Sequence, residues 1–275
     1  MNELKGFFKA NEKMWDENAK QNYKSKMYRV EEFLEGKTTL NSIELEELEG
    51  GAIKGKTFLH LQCHFGLDTL SWAREGAKVT GVDFSEEAIR LARQLAEKTN
   101  LQGNFIQANI YDLPEILHEK FDIVFTSYGV LCWLNDLNRW AEIIAHFLKP
   151  GGVFYIVEFH PFIWVFDWDA KDDFRIDKTY FSPSKPYKYT ADGSYAAEPN
   201  EKYEPTPIYE WGHKMSEVIN AIIKAGLDIQ FLHEFPFSPF PRFAFLKQSE
   251  DGYWRYDNPD IQLPLIYSIK AVKPE

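Results

Sequence analysis

One stretch of the chain, residues 58–85, constrains the fold more than any other. It reads FLHLQCHFGLDTLSWAREGAKVTGVDFS, in which a short apolar run, a tight turn, a helix-forming segment and a second apolar run follow one another. Gly66 ends the turn, Gly76 ends the helical segment, and Asp83 closes the second run. This order is typical of the first βαβ unit of a nucleotide-binding parallel sheet. A carboxylate at that position can accept hydrogen bonds from both hydroxyls of a ribose that lies over the turn.

The turn after the first apolar run has an unusual composition. Residues 62–66 read Gln-Cys-His-Phe-Gly, whereas a pyrophosphate-binding dinucleotide loop reads G-x-G-x-x-G, so that its backbone amides can close on the phosphates. With a single glycine, this turn is poorly suited to a pyrophosphate. A ligand that has a ribose but no phosphate fits it better.

Four blocks in the same order make the chain resemble the class I S-adenosylmethionine-dependent methyltransferases. The resemblance is strong over residues 54–158 and weak elsewhere. The blocks are residues 61–66 at the family's glycine-rich motif, 82–85 at its ribose-binding position, 107–110 with 112–114 at its adenine segment, and 121–134 with 148–152 at the fourth strand and the turn before the fifth. Each block alone is a weak signal, and the four in order at compatible spacing are a strong one.

The chain departs from the family pattern at several positions. His60 stands where the family usually has an acidic residue, and Gln62 and His64 stand where it has glycines. Asn109 replaces the usual aspartate of the adenine segment, and its amide can still donate to or accept from the adenine edge. The missing glycines put the usual close approach of the backbone to the cofactor in doubt, whereas the ribose-binding Asp83 is retained.

The resemblance implies that S-adenosyl-L-methionine is the cofactor, and it implies which residues contact it. The cofactor-binding candidates in the core are Leu61, Gln62, Cys63, Gly66, Asp83, Phe84, Ser85, Ala108, Asn109, Ile110, Ser127 and Tyr128. The N-terminal helices of the family often cover the cofactor, so Trp15 and Tyr28 are candidate lid residues. Plain packing accounts for these two rings equally well.

The alternation of apolar runs and helical segments predicts an α/β fold. We expect a Rossmann-like, seven-stranded, mostly parallel sheet whose last strand is antiparallel. The predicted strands are residues 58–61, 78–82, 105–108, 121–126, 153–158, 228–235 and 263–273. As a single methyltransferase domain, the chain divides into an N-terminal helical cover (1–50), a cofactor-binding core (51–158), a proline-rich insertion or lid after strand five (159–212), and a C-terminal helix with an edge hairpin (213–275).

Composition limits the possible partners. The formal net charge is −11 and no cluster of Lys and Arg is present, so nucleic acid and anionic membranes are disfavoured. Two cysteines and no apolar run of membrane-spanning length favour a reduced, cytoplasmic setting. Aromatic residues make up 16 % of the chain, and many follow residue 152, where they can fill the insertion or wall a substrate pocket. A small-molecule methyl acceptor is the expected partner, and the oligomeric state is left open.

Several polar and aromatic residues follow strands at the edge where the acceptor is expected. Glu158 and His160 end strand five, and either could remove a proton from an acceptor, although a structural role is also open to both. The substrate-pocket candidates are Tyr128, Trp133, His160, Tyr209, Trp211 and His213. The cofactor carries the reactivity, so the protein mainly aligns acceptor and methyl group and excludes water.

Other readings of the sequence are weaker. His60, Cys63 and His64 form H-x-x-C-H, but a strand followed by a tight turn points the two histidines in different directions, so we predict no metal. Cys132 lacks the surroundings of a cysteine nucleophile, and a buried thiol is expected. A nicotinamide-dependent oxidoreductase and a non-catalytic S-adenosylmethionine-binding protein are the alternative functions. The phosphate-poor turn argues against the first of these.

Overall fold

The computed structural model describes residues 2–198 and 200–275, so Met1 and Pro199 lie outside the described residues. The helices are α1 (Asn2–Lys24), α2 (Val30–Leu34), α3 (Ser42–Glu47), α4 (Leu67–Arg74), α5 (Glu86–Thr99), α6 (Leu113–Ile116), α7 (Leu137–Phe147) and α8 (Met215–Lys224). The strands are β1 (Thr57–Leu61), β2 (Lys78–Asp83), β3 (Gly103–Gln107), β4 (Phe121–Ser127), β5 (Leu148–Phe159), β6 (Tyr187–Ala191), β7 (Thr206–Glu210), β8 (Asp228–Phe235), β9 (Phe237–Ser238), β10 (Lys247–Gln248), β11 (Trp254–Arg255) and β12 (Ile266–Val272). Within these two ranges, every helix is too short or too polar to cross a bilayer.

The central sheet has seven strands in the order β3-β2-β1-β4-β5-β12-β8. Neighbouring strands from β3 to β5 are parallel, and β12 runs antiparallel to both β5 and β8. The predicted fold class, a mostly parallel sheet with an antiparallel last strand, is confirmed. Strand order reverses beside β1, and ligands of such sheets bind beyond the carboxyl ends of the strands at that point.

Alternate residues of the strands face opposite layers of helices. Leu59 and Val124 pack in one buried cluster with Trp140 of α7. Their chain neighbours Phe58 and Phe125 pack on the other side, where the fully buried ring of Trp72 in α4 lies 5.4 Å from the Phe58 ring. Because both faces of the central strands are covered, their sequences read as nearly continuous apolar runs.

Three strands begin two or more residues away from the prediction. The last, β12, begins at Ile266 rather than Leu263. The third strand spans β3, two residues earlier than expected at its start. The fifth begins at Leu148 rather than Val153, because Leu148 already pairs with Phe121 of β4, and the Pro150-Gly151-Gly152 turn forms an irregularity before Val153 pairs with Ile123. The helix starts follow the expected chemistry: Ser85 Oγ accepts the Ala88 N–H at 3.0 Å at the beginning of α5.

The insertion after β5 is tied to the N-terminal helix. Its strands β6 and β7 form an antiparallel hairpin, and β7 lies along α1. The Asn11 side chain of α1 bonds both backbone groups of Tyr209, each at 2.8 Å. Nearer the tip of the hairpin, the Ser194 N–H donates to Gln21 Oε1 at 2.8 Å, and the Tyr203 hydroxyl donates to an Asn18 side chain at 3.0 Å. The proposed cover and the proposed lid are therefore held together by side-chain hydrogen bonds.

The connection between β8 and β12 contains β9, β11 and β10, which form a small separate sheet in the order β10-β11-β9. Phe243 from this connection and Phe166 and Phe174 from the insertion share one aromatic cluster. Many of the aromatic residues beyond residue 152 thus pack on one another. This is the arrangement expected if they fill the core of the insertion rather than wall a substrate pocket. The division of the chain into four parts stays a prediction.

Candidate cofactor and acceptor site

The turn between β1 and α4 keeps the backbone shape of a glycine-rich loop. Gln62, His64 and Gly66 have φ values of 57°, 50° and 77°, in the left-handed region. Only at Gly66 is a side chain excluded by space, since a Cβ there would lie 2.7 Å from Phe105 Cε1. A left-handed residue other than glycine costs roughly 1–2 kcal/mol, so neighbouring contacts must hold the turn in this shape. The backbone form that the missing glycines would favour is therefore present.

Asp83 at the tip of β2 supplies the main contact that holds the turn. Its buried carboxylate accepts the His64 N–H at 2.8 Å on one oxygen and the Ser85 N–H at 2.9 Å on the other. Burial raises the pKa of Asp83 to about 6, and these backbone donors oppose the shift. A carboxylate has about four acceptor positions, so both oxygens retain capacity for ribose hydroxyls.

Two buried polar atoms above the turn lack partners. Gln62 Nε2 donates to the Val130 carbonyl at 3.0 Å, whereas Gln62 Oε1 and Trp15 Nε1 are buried without a hydrogen-bond partner among the described residues. The Trp15 ring lies edge-on to His64, with centroids 5.2 Å apart. The Nε1 atoms of Trp72 and Trp140 lack partners in the described part of the chain too, but those rings pack in the core. Gln62 Oε1 and Trp15 Nε1 are available to a polar ligand. The methionine end of S-adenosylmethionine, with an ammonium and a carboxylate, fits both.

The adenine segment is attached to the ribose position. The Ala108 N–H donates to the Asp83 carbonyl at 2.9 Å, and Asn109 Oδ1 accepts the Tyr111 N–H at 3.0 Å, so the asparagine also begins a short 3-10 turn. Ser85, also predicted to bind cofactor, is engaged instead by the protein: its hydroxyl donates to Asp16 Oδ1 at 2.6 Å.

The remaining predicted cofactor residues surround this arrangement. Leu61, Cys63, Ala108 and Ile110 are buried, Phe84 is half-buried, and Ser127 lies beside His60. Tyr28 covers the turn, with its ring 5.5 Å from that of His64 and its hydroxyl bonded to that of Tyr195.

The H-x-x-C-H sequence does not gather into one cluster. His60 Nδ1 lies 2.8 Å from Thr69 Oγ1, and burial lowers the pKa of His60 to about 3, so the ring is neutral. His64 Nε2 lies 3.0 Å from the Asn22 amide nitrogen, on the side of α1. In the described residues, no group of three or more His, Cys, Asp or Glu side chains could hold a metal ion.

Residues 50–57, GGAIKGKT, match the letters of a phosphate-binding P-loop, G-x-x-x-x-G-K-[ST]. A P-loop leaves a strand and opens a helix. Here the segment Gly50–Ile53 is a 3-10 turn, and the chain then enters β1. The matching residues precede the strand, whereas a P-loop follows one. The segment is therefore not a P-loop, although its sequence fits the motif.

Glu158 at the end of β5 is fully engaged by backbone donors. Its buried carboxylate accepts N–H groups from Gly129, Val130, Leu131 and Phe159, of which the Val130 bond is 2.8 Å and the Phe159 bond is 2.6 Å. Burial raises the pKa of Glu158, and the four N–H groups oppose that shift. The side chain therefore fixes the loop that follows β4, and no oxygen points freely toward an acceptor.

His160 and Tyr209, two predicted pocket residues, face other partners. His160 Nδ1 accepts the Phe162 N–H at 3.1 Å, which places the ring proton on Nε2, 2.9 Å from a Glu234 carboxylate oxygen. The ring thus begins the short turn that opens the insertion. Tyr209 stacks on Phe7 of α1, with ring centroids 4.1 Å apart.

Two of the other predicted pocket residues also lie outside the cavity described below. The Trp133 ring is edge-on to Trp15, 5.4 Å away, on the cofactor side. The Tyr128 hydroxyl donates to Glu44 Oε2 at 3.1 Å, in a buried network with α3.

Trp211 and His213 do line a cavity beside the loop after β4. Its empty volume is about 420 Å³, counting space open to solvent, and it is narrow. The other lining residues include Cys132, Pro161, Trp164, Lys178, Tyr187 and Glu210. Burial raises the pKa of the Cys132 thiol well above its usual range, so the group stays protonated, as expected of a buried thiol. The cavity is aromatic-walled, and we take it as the candidate acceptor pocket.

Comparisons with known proteins address the family. Residues 59–156 match the family model described as "Methyltransferase domain". This core is a class I S-adenosylmethionine-dependent methyltransferase domain. The family predicted from the four blocks is confirmed.

Relatives of the methyltransferase core include curated proteins named ubiquinone biosynthesis O-methyltransferase. The one from Photorhabdus laumondii is 34 % identical over 102 residues, which cover 37 % of this chain and 42 % of that protein. The one from Coxiella burnetii is 35 % identical over 114 residues, covering 41 % and 48 %. The matched segment spans less than half the length of either relative.

Solved structures share the methyltransferase fold over more of the chain. An S-adenosylmethionine-dependent methyltransferase from Mesorhizobium loti has a TM-score of 0.57 at 20 % identity and covers 87 % of this chain and 100 % of its own. One from Clostridium acetobutylicum has a TM-score of 0.57 at 14 % identity, covering 85 % and 90 %. At these identities the similarity establishes the fold.

Sequence reasoning missed the residues that join the methyltransferase core to its cover. Asp16 of α1 accepts hydrogen bonds from Ser85 Oγ and, at 3.1 Å, from the Glu87 N–H, so it stabilises the start of α5. Glu44 of α3 is fully buried and accepts hydrogen bonds from Asn41 and Tyr128. A lone acidic residue on an amphipathic helix gives no signal of either role.

The buried Glu44 carboxyl predicts a pH-dependent stability. Burial, assisted by the negative charge of Asp68, raises the pKa of Glu44 to about 7. A raised pKa favours the folded state below the unfolded pKa of ~4.5, and this contribution is lost as the pH rises through 7. At ~1.4 kcal/mol per pKa unit, wild type should lose up to ~3 kcal/mol more than Glu44→Gln between pH 5 and pH 8. Urea unfolding at both pH values measures this.

The exposed Glu142→Gln is the matched control and should keep the wild-type pH dependence. If Glu44→Gln loses as much stability as wild type over the same pH range, the Glu44 carboxyl does not titrate in this way.

Proposed function

We propose that the protein transfers a methyl group from S-adenosylmethionine to a small-molecule acceptor. The observation that carries the proposal is the arrangement at the β1 turn, where Asp83 lies beneath a glycine-like backbone and Gln62 Oε1 and Trp15 Nε1 lack partners. Asp83 and Gln62 lie within the segment that matches the methyltransferase family, and Trp15 is supplied by α1, outside it.

The chain's own residues have distinct roles in holding the cofactor. Asp83 would accept the ribose hydroxyls, the Asn109 amide would meet the adenine edge, and Gln62 and Trp15 would meet the methionine end. When bound, the cofactor supplies a methyl group on a positively charged sulfur, which departs as a neutral thioether. The protein's contribution is alignment of the acceptor with that methyl group and exclusion of water, which α1 and the insertion provide by covering the turn.

The acceptor end of the site is proposed to be the aromatic-walled cavity with Trp211 and His213. Glu158 and His160 hold the loops on either side of this cavity. Both side chains hydrogen-bond to backbone N–H groups of the protein, so neither is assigned a contact with the acceptor. A small acceptor agrees with the narrow cavity, and the net charge of −11 disfavours nucleic acid. Two unpaired, buried cysteines support a cytoplasmic location as part of the same proposal.

Calorimetry with two ligands tests the cofactor assignment. S-adenosylhomocysteine should bind with micromolar or tighter affinity, because it presents the ribose, adenine and methionine groups that the turn matches. NAD should give no measurable heat, because the turn lacks the glycines that a pyrophosphate needs. Tight NAD binding with no response to S-adenosylhomocysteine would contradict this proposal and favour a nicotinamide-dependent oxidoreductase.

A further inference from the structure

Arg242, in the connection between β9 and β10, is a half-buried cation in an aromatic setting. Its guanidinium carbon lies 3.1 Å from the centroid of the Trp168 ring. The rings of Trp164 and Phe159 are 5.8 and 5.9 Å away. Nε of Arg242 is buried and has no hydrogen-bond partner in the described part of the chain. A guanidinium stacked in this way keeps its edge, with its N–H donors, available for a ligand.

The described residues offer Arg242 no ion pair. None of the ion pairs found among residues 2–198 and 200–275 includes it. Burial lowers the pKa of Arg242 to about 10, and the negative charge of Glu210 opposes that shift. Arg242 is therefore charged at neutral pH. A half-buried guanidinium with no counter-charge and a buried, unpartnered Nε among the described residues has donors available for a partner.

The unpaired guanidinium adjoins the candidate acceptor pocket. Trp164, one of the rings beside it, lines that cavity, as do Cys132 and Glu210, on which the positive charge of Arg242 acts. Lys178 lines it too and acts on the same Glu210 carboxylate. Two cations and two carboxylates, Glu210 and Glu158, therefore act at this pocket, and the Glu158 carboxylate is already engaged by backbone N–H groups.

We propose that Arg242, beside this cavity, binds a carboxylate carried by a methyl acceptor whose aromatic body occupies the cavity. The planar fork of a guanidinium matches a carboxylate with two parallel hydrogen bonds, and the stack on Trp168 fixes the plane of the fork. The rings that wall the cavity suit a flat apolar body between the carboxylate and the reacting atom. Arg242 is thus a specificity-determining residue of the acceptor site, and this inference rests on the proposed methyltransferase function.

The methionine carboxylate of the cofactor is the other possible source of the same chemistry. The geometry favours the acceptor, because Arg242 is surrounded by Trp164, Trp168 and Phe159 of the insertion and its entry. Arg242 is not itself a lining residue of the cavity and lies beside Trp164 and Glu210, which are; the turn residues Gln62 and Asp83 do not line the cavity either.

Tryptophan fluorescence tests the proposal, since Trp168 stacks on Arg242 and Trp164 lines the cavity. Benzoate, phenylacetate and cinnamate are titrated into the full-length protein, with and without saturating S-adenosylhomocysteine, beside their neutral amides. At least one carboxylate should bind wild type tenfold or more tightly than its amide. Arg242→Met should abolish that preference, and Arg242→Lys, which keeps the charge but loses the fork, should retain part of it. Arg139→Met, at an exposed pair, should leave it unchanged.

Three outcomes overturn the proposal. One is that none of the carboxylates binds wild type better than its amide, and a second is that Arg242→Met keeps the preference. The third is a tenfold loss of S-adenosylhomocysteine affinity in Arg242→Met with carboxylate binding intact, which assigns the guanidinium to the cofactor. Absence of any response to S-adenosylhomocysteine in wild type counts against the proposed function instead, and the titrations without it still report on Arg242. Thermal unfolding of each variant confirms that it is folded.

Discussion

Replacing Asp83 with alanine should weaken the binding of S-adenosylhomocysteine by ten- to a hundredfold. The substitution removes two charge-assisted hydrogen bonds to the ribose, worth roughly 1.5–3 kcal/mol each before water compensates. Every ~1.4 kcal/mol is a factor of ten in affinity. Calorimetry at pH 8 is the measurement, because the Asp83 carboxyl, with a pKa of about 6, is ionised there. As the pH falls through 6, the affinity of wild type should fall and that of the variant should not.

Asp83 also supports the turn, so loss of affinity alone does not identify a ribose contact. The His64 N–H and the Ser85 N–H both lose their acceptor in the variant. Adenosine and 2′,3′-dideoxyadenosine separate the two effects. Wild type should prefer adenosine at least tenfold, and Asp83→Ala should bind both with equal, weak affinity. The exposed Glu86→Ala, three residues further on, should behave as wild type; a variant at Asp83 that still prefers adenosine would show that another residue holds the ribose.

Replacing Glu158 with alanine should destabilise the protein by about 3–5 kcal/mol. Four backbone N–H groups lose a charged acceptor, and a buried donor left unpaired costs about 1–3 kcal/mol before local rearrangement admits water. Urea unfolding at pH 7 measures the change. Glu158→Gln should fall between wild type and alanine, because its amide oxygen accepts two of the N–H groups while its NH₂ faces the others.

Glu142→Ala, on the exposed face of α7, is the control for Glu158 and should change the stability by less than ~0.5 kcal/mol. A similarly small effect at Glu158 would contradict its assigned role in the loop. If Glu158→Gln keeps wild-type stability but loses methyl transfer, the carboxylate acts on the acceptor as a base.

The methyltransferase core could be predicted from the sequence because its signals are local. The run from Phe58 to Asp83 carries its strand, turn and helix in consecutive residues, and the structure reproduces them as β1, α4 and β2. The backbone shape of the turn between β1 and α4 was harder to predict from the sequence. Gln62 and His64 are not residues that favour a left-handed backbone, and they adopt it because Asp83, some twenty residues later, accepts the His64 N–H.

The acceptor side was harder to predict because its geometry depends on contacts between distant segments. A glutamate at the end of a strand suggests a general base. Most of the backbone N–H groups that bond the Glu158 carboxylate, however, come from residues almost thirty positions earlier in the chain. Tyr209 was predicted to line the substrate pocket, whereas Asn11 and Phe7 hold it against α1. Arg242 lies in the long connection between β8 and β12, and nothing in the local sequence distinguishes this cation from exposed ones.

The hydrogen bonds between α1 and the insertion bear on the rate of each catalytic cycle. Gln21 and Asn18 join the N-terminal helix to the tip of the hairpin directly over the turn that His64 occupies. A molecule that enters or leaves that turn must pass between two segments of the chain that bind each other through small, reversible contacts. We therefore expect this junction to open before spent cofactor is exchanged. In many enzymes with such covers, product release limits turnover in place of the chemical step, and we expect the same here.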